Sequence, residues 1–163
     1  MNGYRGNFQK DESAADALPM RMVVAVIAIG VLLILMSGAL SSLIESEESY
    51  AARSIITEIK ANAEQMSVNG AGSVVTLDID VPSGVEITMG AIPGHESAWP
   101  SDASNHYFEM NGKQTIGDST ASYSNSTLDG CFVLYPGPHI LILKSVRDQN
   151  GKIFITLRDK SQL

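Results

Sequence analysis

Cysteine is almost missing from this chain. Cys131 stands alone, which excludes an intramolecular disulfide framework and any zinc site built from several thiolates. A buried free thiol is the expected state. Histidine is scarce as well, and His95, His106 and His139 lie too far apart for the H-x-x-x-H or H-E-x-x-H spacing of a helical metal site. All three are expected in exposed loops. The chain also lacks a G-x-S-x-G turn, a glycine-rich phosphate loop and a serine with an evident partner base. The sequence therefore nominates no catalytic residue, no cofactor and no metal ligand, and the expectation is a protein that is not an enzyme.

Positive charge is the next shortage. Of the net charge of −7, none belongs to residues 1–21, where Arg5, Lys10 and Arg21 balance Asp11, Glu12 and Asp16. Residues 45–163 carry eight Lys or Arg against fifteen Asp or Glu. An acidic module of this kind repels nucleic acid and anionic surfaces, so neither is an expected partner.

What the chain has in abundance is one apolar run. Residues 22–44 read MVVAVIAIGVLLILMSGALSSLI, with no charged residue and only Ser37, Ser41 and Ser42 as polar side chains. About 20 apolar residues at 1.5 Å each cross a bilayer's hydrocarbon core, so this run can span. A buried helix of a soluble protein would show a polar stripe, and residues 22–40 show none. A secretory signal has a shorter apolar core that starts nearer the terminus. Arg5, Lys10 and Arg21 precede the run and Glu45, Glu47 and Glu48 follow it, which places the N-terminus in the cytoplasm and the C-terminal domain outside. The lipid bilayer is the first expected partner. Gly38 and Ser42, four residues apart on one helical face, would permit close packing of a second helix.

Beyond Ile44 the chain turns amphipathic without a break. Ile55, Ile59, Ala63 and Met66 recur at helical spacing beside a row of Ile44, Glu48, Ala52 and Ile56, which predicts one helix running on to about Ser67, where Asn69-Gly70-Ala71-Gly72 stops it. The period then changes from 3.6 to 2. Residues 73–81 alternate Val75, Leu77, Ile79 and Val81 with Thr76, Asp78 and Asp80, and Pro82-Ser83-Gly84 turns the chain into 85–89, so these two segments read as a hairpin. Residues 107–110 and 113–116 around Asn111-Gly112 form a second hairpin, and 132–134, 139–146 and 153–157 are the last strands. Residues 92–105 and 117–130 read as long surface loops.

The expected fold is α+β, with one long N-terminal helix packed on an antiparallel β-sheet or sandwich. Its parts are a segment or leader at 1–21, a transmembrane helix at 22–44, a helical extension at 45–68 and a β domain at 69–163. The Ile59 stripe is expected against Leu77, Ile79, Ile142 or Phe154. Asp78 and Asp80 share one strand face, which reads as solvated rather than as a cation site with Glu96, Asp102 or Asp118. Asn125-Ser126-Thr127 is a glycosylation sequon in a polar loop, making Asn125 a candidate modification site.

This plan resembles the type IV pilin-like proteins of archaea, their pilins and archaellins. The resemblance rests on Lys10-Asp11-Glu12-Ser13-Ala14-Ala15, on Pro19 near the start of the apolar run, on the helix continuing past the membrane and on the β module behind it. It implies a charged leader removed before the apolar segment, with the cut at the Ala14-Ala15 junction, and a helix that packs with like or related subunits. The expected function is that of a pilin-like cell-surface structural protein without catalysis. The alternative is a single-pass anchored β domain that binds a protein or envelope partner.

Overall fold

The computed structural model describes residues 12–161, with the side chains of 12–19, 39, 41 and 42 outside that description. The chain divides into two compact units, Met1–Ile44 and Glu45–Leu163. One helix, α1 (Glu12–Asn69), contributes to both. It starts within the segment read from sequence as a leader and ends at the expected Asn-Gly stop.

In the first unit the apolar side chains lie open. Val24, Ile27, Leu33 and Ile34 are 60–72 % exposed.

In the second unit, α1 buries Ala52, Ile55, Ile56, Ile59, Ala63 and Met66. Eight strands follow: β1 (Val74–Val81), β2 (Val85–Met89), β3 (Asn105–Met110), β4 (Lys113–Asp118), β5 (Tyr123–Ser124), β6 (Phe132–Leu134), β7 (Gly137–Arg147) and β8 (Ile153–Asp159). They form two four-stranded sheets, in the orders β1-β7-β8-β5 and β4-β3-β2-β6. One hydrophobic core is shared by the helical stripe and both sheets, with Leu77, Ile79, Leu141, Leu143, Ile155 and Leu157 from the first and Val85, Ile87, Met89, Phe108 and Leu134 from the second. The α+β class and the helix-on-sheet packing are thus as expected.

The 107–110 and 113–116 hairpin forms as β3–β4. Asn111 and Gly112 both take positive φ, 51° and 72°, the requirement of a type I′ turn. The final pair β7–β8 is also antiparallel. Its turn is tied by Asp148, whose carboxylate accepts the amides of Asn150 at 2.9 Å and Lys152 at 2.7 Å.

The hairpin expected from 73–81 and 85–89 does not form. β1 pairs with β7, and β2 lies between β3 and β6 in the other sheet. The burial patterns explain why. β1 keeps a wet face of Thr76, Asp78 and Asp80, which suits an edge, whereas four of the five β2 residues are buried, which demands a central position covered on both faces. Pro82-Ser83-Gly84 therefore turns a corner between layers.

The two expected surface loops are also more structured than their composition suggested. Ala103, Ala121 and Tyr123 are buried, and β5 pairs with β8, the one parallel pairing in an otherwise antiparallel fold among the described residues. Two of the expected partners of the Ile59 stripe are corrected as well. Ile142 and Phe154 sit between core positions and point to the opposite face of their sheet from Leu141, Leu143 and Ile155. Phe154 is buried there under Trp99, with ring centroids 5.4 Å apart.

Candidate functional site

The most extensive candidate surface is the exposed apolar part of α1. Among the described residues one helix, Met20–Asn69, is long and apolar enough to cross a membrane. Among the described residues of the first unit, a Cβ added at Gly30 or Gly38 would meet no atom within 4 Å. Ser37 satisfies its hydroxyl inside the helix by donating to the Ile34 carbonyl at 2.8 Å, so it costs little in a membrane. Ser42, the second member of the small-residue pair, is among the side chains outside the description. The Ala14-Ala15 junction falls within α1, its side chains are likewise not described, and Lys10 and Asp11 lie outside the described residues.

The outer part of α1 is locked to the β unit by polar contacts as well as by its apolar stripe. Lys60 donates to the Asp118 carbonyl at 2.8 Å. The Glu64 carboxylate accepts from the Ser119 hydroxyl at 3.0 Å and the Thr120 amide at 3.1 Å. The Thr120 amide, chiefly, holds the Glu64 carboxyl below the usual range despite some burial, with Ser119 and Lys60 adding to it. At the helix end, the Ser145 hydroxyl donates to the Gly70 carbonyl at 2.8 Å and accepts the Ser73 amide at 2.9 Å. Ser145 looks ordinary in the sequence; only its position opposite Ser73 makes it a clamp.

The histidines depart from expectation. His95 is exposed, but His106 and His139 are buried in β3 and β7. Burial, and secondarily Lys60, lowers the His106 pKa, and its Nδ1 has no hydrogen-bond partner. It lies over Gly117, where an added Cβ would come within 2.5 Å of Nε2. His139 is held on both sides: Nδ1 lies 2.7 Å from the Asp159 carboxylate and Nε2 lies 2.7 Å from the Tyr135 carbonyl. Both partners are acceptors, so the ring bonds to both only as a cation. Burial opposes that charge, but the bonds to Asp159 and Tyr135 outweigh it and raise the pKa. Because the nitrogen that would face a nucleophile is committed to a backbone carbonyl, the pair works as a clamp between β7 and β8.

Asp78 and Asp80 are exposed on β1, as read from the sequence. Among the described residues no three His, Cys, Asp or Glu side chains gather closely enough to hold a metal ion. Glu96 instead accepts from the Tyr107 hydroxyl at 2.8 Å and the Gly94 amide at 3.0 Å. Cys131 is free and only partly buried, less enclosed than expected, and burial raises its pKa.

Asn125 sits in a closed polar knot. Its Nδ2 donates to Asp129 at 2.6 Å, and its Oδ1 accepts the Thr127 amide at 3.2 Å and hydroxyl at 3.0 Å. The bonds from Asn125 and Thr127 hold the Asp129 carboxyl below its ordinary value. A glycan on Nδ2 would replace one of its two hydrogens and leave one N–H to donate, so the Asp129 bond and the sequon are compatible.

Two clefts among the described residues are the roomiest of those that bear on function. One, of about 350 Å³, lies between α1 and β3–β4 and is lined by Arg53, Lys60, His106, Phe108 and Ile116. The other, of about 490 Å³, lies between Trp99, Leu128 and the β7–β8 turn.

No protein-family model, curated protein or solved structure gives a significant match to this chain.

Proposed function

We propose that the protein is a pilin-like structural component of the cell surface, held by its N-terminal helix in a membrane or among like or related subunits, and performing no catalysis. One observation carries the reading: α1 is a single helix whose first part exposes a continuous apolar surface while its last part is built into the core of the β unit. A plain anchor needs no such integration, since a flexible linker would serve. In a pilin-like protein the same helix must transmit load from an apolar assembly to an exposed domain, and burial of Ile55, Ile59, Ala63 and Met66 supplies that connection.

The orientation follows the flanking charges, with the N-terminus cytoplasmic and the β unit outside. Arg21 lies next to the apolar run, and no glutamate stands five residues beyond the Ala14-Ala15 junction. An unpaired charge in an apolar core is costly, so a minor, membrane-resident pilin-like component suits this sequence better than a major filament subunit. The deciding experiment is mass analysis of the mature N-terminus together with crosslinking in intact membranes. A new N-terminus near Ala15 and crosslinks through residues 22–44 support the proposal. A retained Met1 and a monomeric helix reject it in favour of an anchored β domain that binds a separate partner.

A further inference from the structure

The larger of the two clefts has a composition that the assembly reading does not use. Its aromatic wall is Trp99, the only tryptophan in the chain. The indole is fixed twice: Nε1 donates to the Tyr123 carbonyl at 3.1 Å, and the ring lies on Phe154 at 5.4 Å between centroids. Phe154 is itself buried and capped by the Lys152 ammonium, 4.8 Å from its ring centre. Trp99 is half-buried, so it presents an immobilised apolar surface to the cleft.

Across from it, the β7–β8 turn supplies Arg147, Asp148, Gln149 and Asn150. All four have planar polar ends, one guanidinium, one carboxylate and two amides. Asp148 is held by the turn amides, and Arg147 spends one nitrogen on the Gly151 carbonyl at 3.3 Å. Gln149 and Asn150 are exposed at the tip. A third wall is Leu128, a non-glycine residue at φ 59°, kept there by the Asn125–Asp129 knot. Such a backbone persists only where its surroundings enforce it. The volume, about 490 Å³, lies inside the range of small-molecule sites, roughly 300–1,000 Å³.

We propose that this cleft binds a neutral pyranose sugar, with one face of the ring stacked on Trp99 and its hydroxyls bonded to the β7–β8 turn. A pyranose is amphipathic in the required sense. One face presents C–H groups of slight positive charge, which suit the negative face of an indole. Its rim carries neighbouring hydroxyls that each donate and accept, which suit forked amide, carboxylate and guanidinium groups. The cleft is too polar for a lipid chain. With Arg147 the one positive side chain among its lining residues and an acidic unit around it, it is also poorly suited to a phosphate-bearing ligand. Because Trp99, Asp148 and Leu128 are fixed before binding, their share of the ordering cost is already met.

The sole tryptophan makes the test direct. Full-length protein in a detergent without a sugar headgroup is titrated with glucose, galactose, mannose, N-acetylglucosamine, lactose and cellobiose, reading Trp99 emission and saturation-transfer NMR of the sugar. The expected result is a saturable change with at least one of them, weakened about tenfold or more in the Arg147→Met, Gln149→Ala double variant, since the sugar's hydroxyls lose two of their partners on the turn. That variant alters only exposed side chains and keeps Trp99, so it stays informative even where Trp99→Ala fails to fold. Absence of a saturable response to every sugar, or a response unchanged in the double variant, overturns the proposal. A response to adenosine monophosphate without any response to a sugar overturns the ligand class. This inference does not rest on helix-mediated assembly, and either can fail alone.

Discussion

Ile59 is the residue on which the connection between helix and β unit depends most directly. It is fully buried, in the middle of the stripe that runs from Ala52 to Met66, and belongs to the core shared by both sheets. Ile59→Ala removes three carbon groups at about 0.8 kcal/mol each, near 2.4 kcal/mol in transfer alone. Partial collapse of the neighbouring side chains leaves a cavity that adds about 1 kcal/mol or more, giving about 3–4 kcal/mol in all. The measurement is urea unfolding of the full-length chain in detergent, followed by the emission of Trp99, which lies on Phe154 rather than beside Ile59. Ile29→Ala serves as the control, because Ile29 is 56 % exposed in the first unit and should leave the midpoint unchanged. A fragment of residues 45–163 should unfold cooperatively, whereas one of residues 73–163 should be far less stable because it lacks the stripe. A loss below about 1 kcal/mol for Ile59→Ala, or equal midpoints for the two fragments, would refute the argument that the helix completes this core.

Three further outcomes are expected. Replacing Ile29 and Leu33 together by arginine should abolish membrane partitioning, since each charge costs about 2.5–3.5 kcal/mol at the centre of a span; full recovery in carbonate-washed membranes would reject residues 22–44 as the spanning segment. The His139–Asp159 clamp should make stability depend on pH: the raised His139 pKa means its contribution is complete below the unfolded value of 6.5 and is lost as pH rises through the folded value, while the lowered Asp159 pKa means its contribution holds above 3.8 and is lost as pH falls through the folded value. The melting temperature should therefore fall between weakly acidic and alkaline pH by more in the native protein than in His139→Gln, and parallel curves would show that the ring carries no charge. Gly90→Ala should cost about 1–3 kcal/mol in thermal unfolding, because Gly90 has φ 93° and an added Cβ would stand 2.9 Å from the Tyr123 carbonyl oxygen; a neutral result would mean that the 89–91 segment and β5 can separate freely.

Elements governed by local chemistry were legible in the sequence. The helix and its stop, the alternation of β1, the Asn111-Gly112 hairpin and the β7–β8 pair each depend on neighbours within a few positions. The missed features depend on partners far away. Nothing near Pro82-Ser83-Gly84 distinguishes a hairpin from a corner, because the choice lies in β7, which offers β1 its hydrogen bonds. His106 and His139 look like surface residues until Gly117 and Asp159 are brought beside them. Tyr123 is buried within a run of Ser, Thr and Asn that reads as solvent-facing, and its hydroxyl, bonded to Ser119 at 2.9 Å, is pushed up to about 12 chiefly by burial. The alternation of Ala121 and Tyr123 was the one local hint. Of the sugar cleft, only the lone tryptophan could have been noticed, since its other walls come from segments 28 and 48 positions away, at Thr127 and Arg147.

The corner after β1 also governs when this protein can fold. β1 is the first strand to be synthesised, yet its partner begins at Gly137, with Val74 registered against Lys144 and Val81 against Gly137. β8, which completes that sheet's centre, ends at Asp159. The first sheet cannot close early: until the last strands emerge, β1 has open edges and the Ile59 stripe is covered by the second sheet alone. Contacts of such long sequence separation slow folding and prolong exposure of apolar surface. On the proposed membrane-held reading the helix gains a temporal role, because by reaching the bilayer first it would hold an unfinished, sticky domain apart from its neighbours while the rest of the chain arrives.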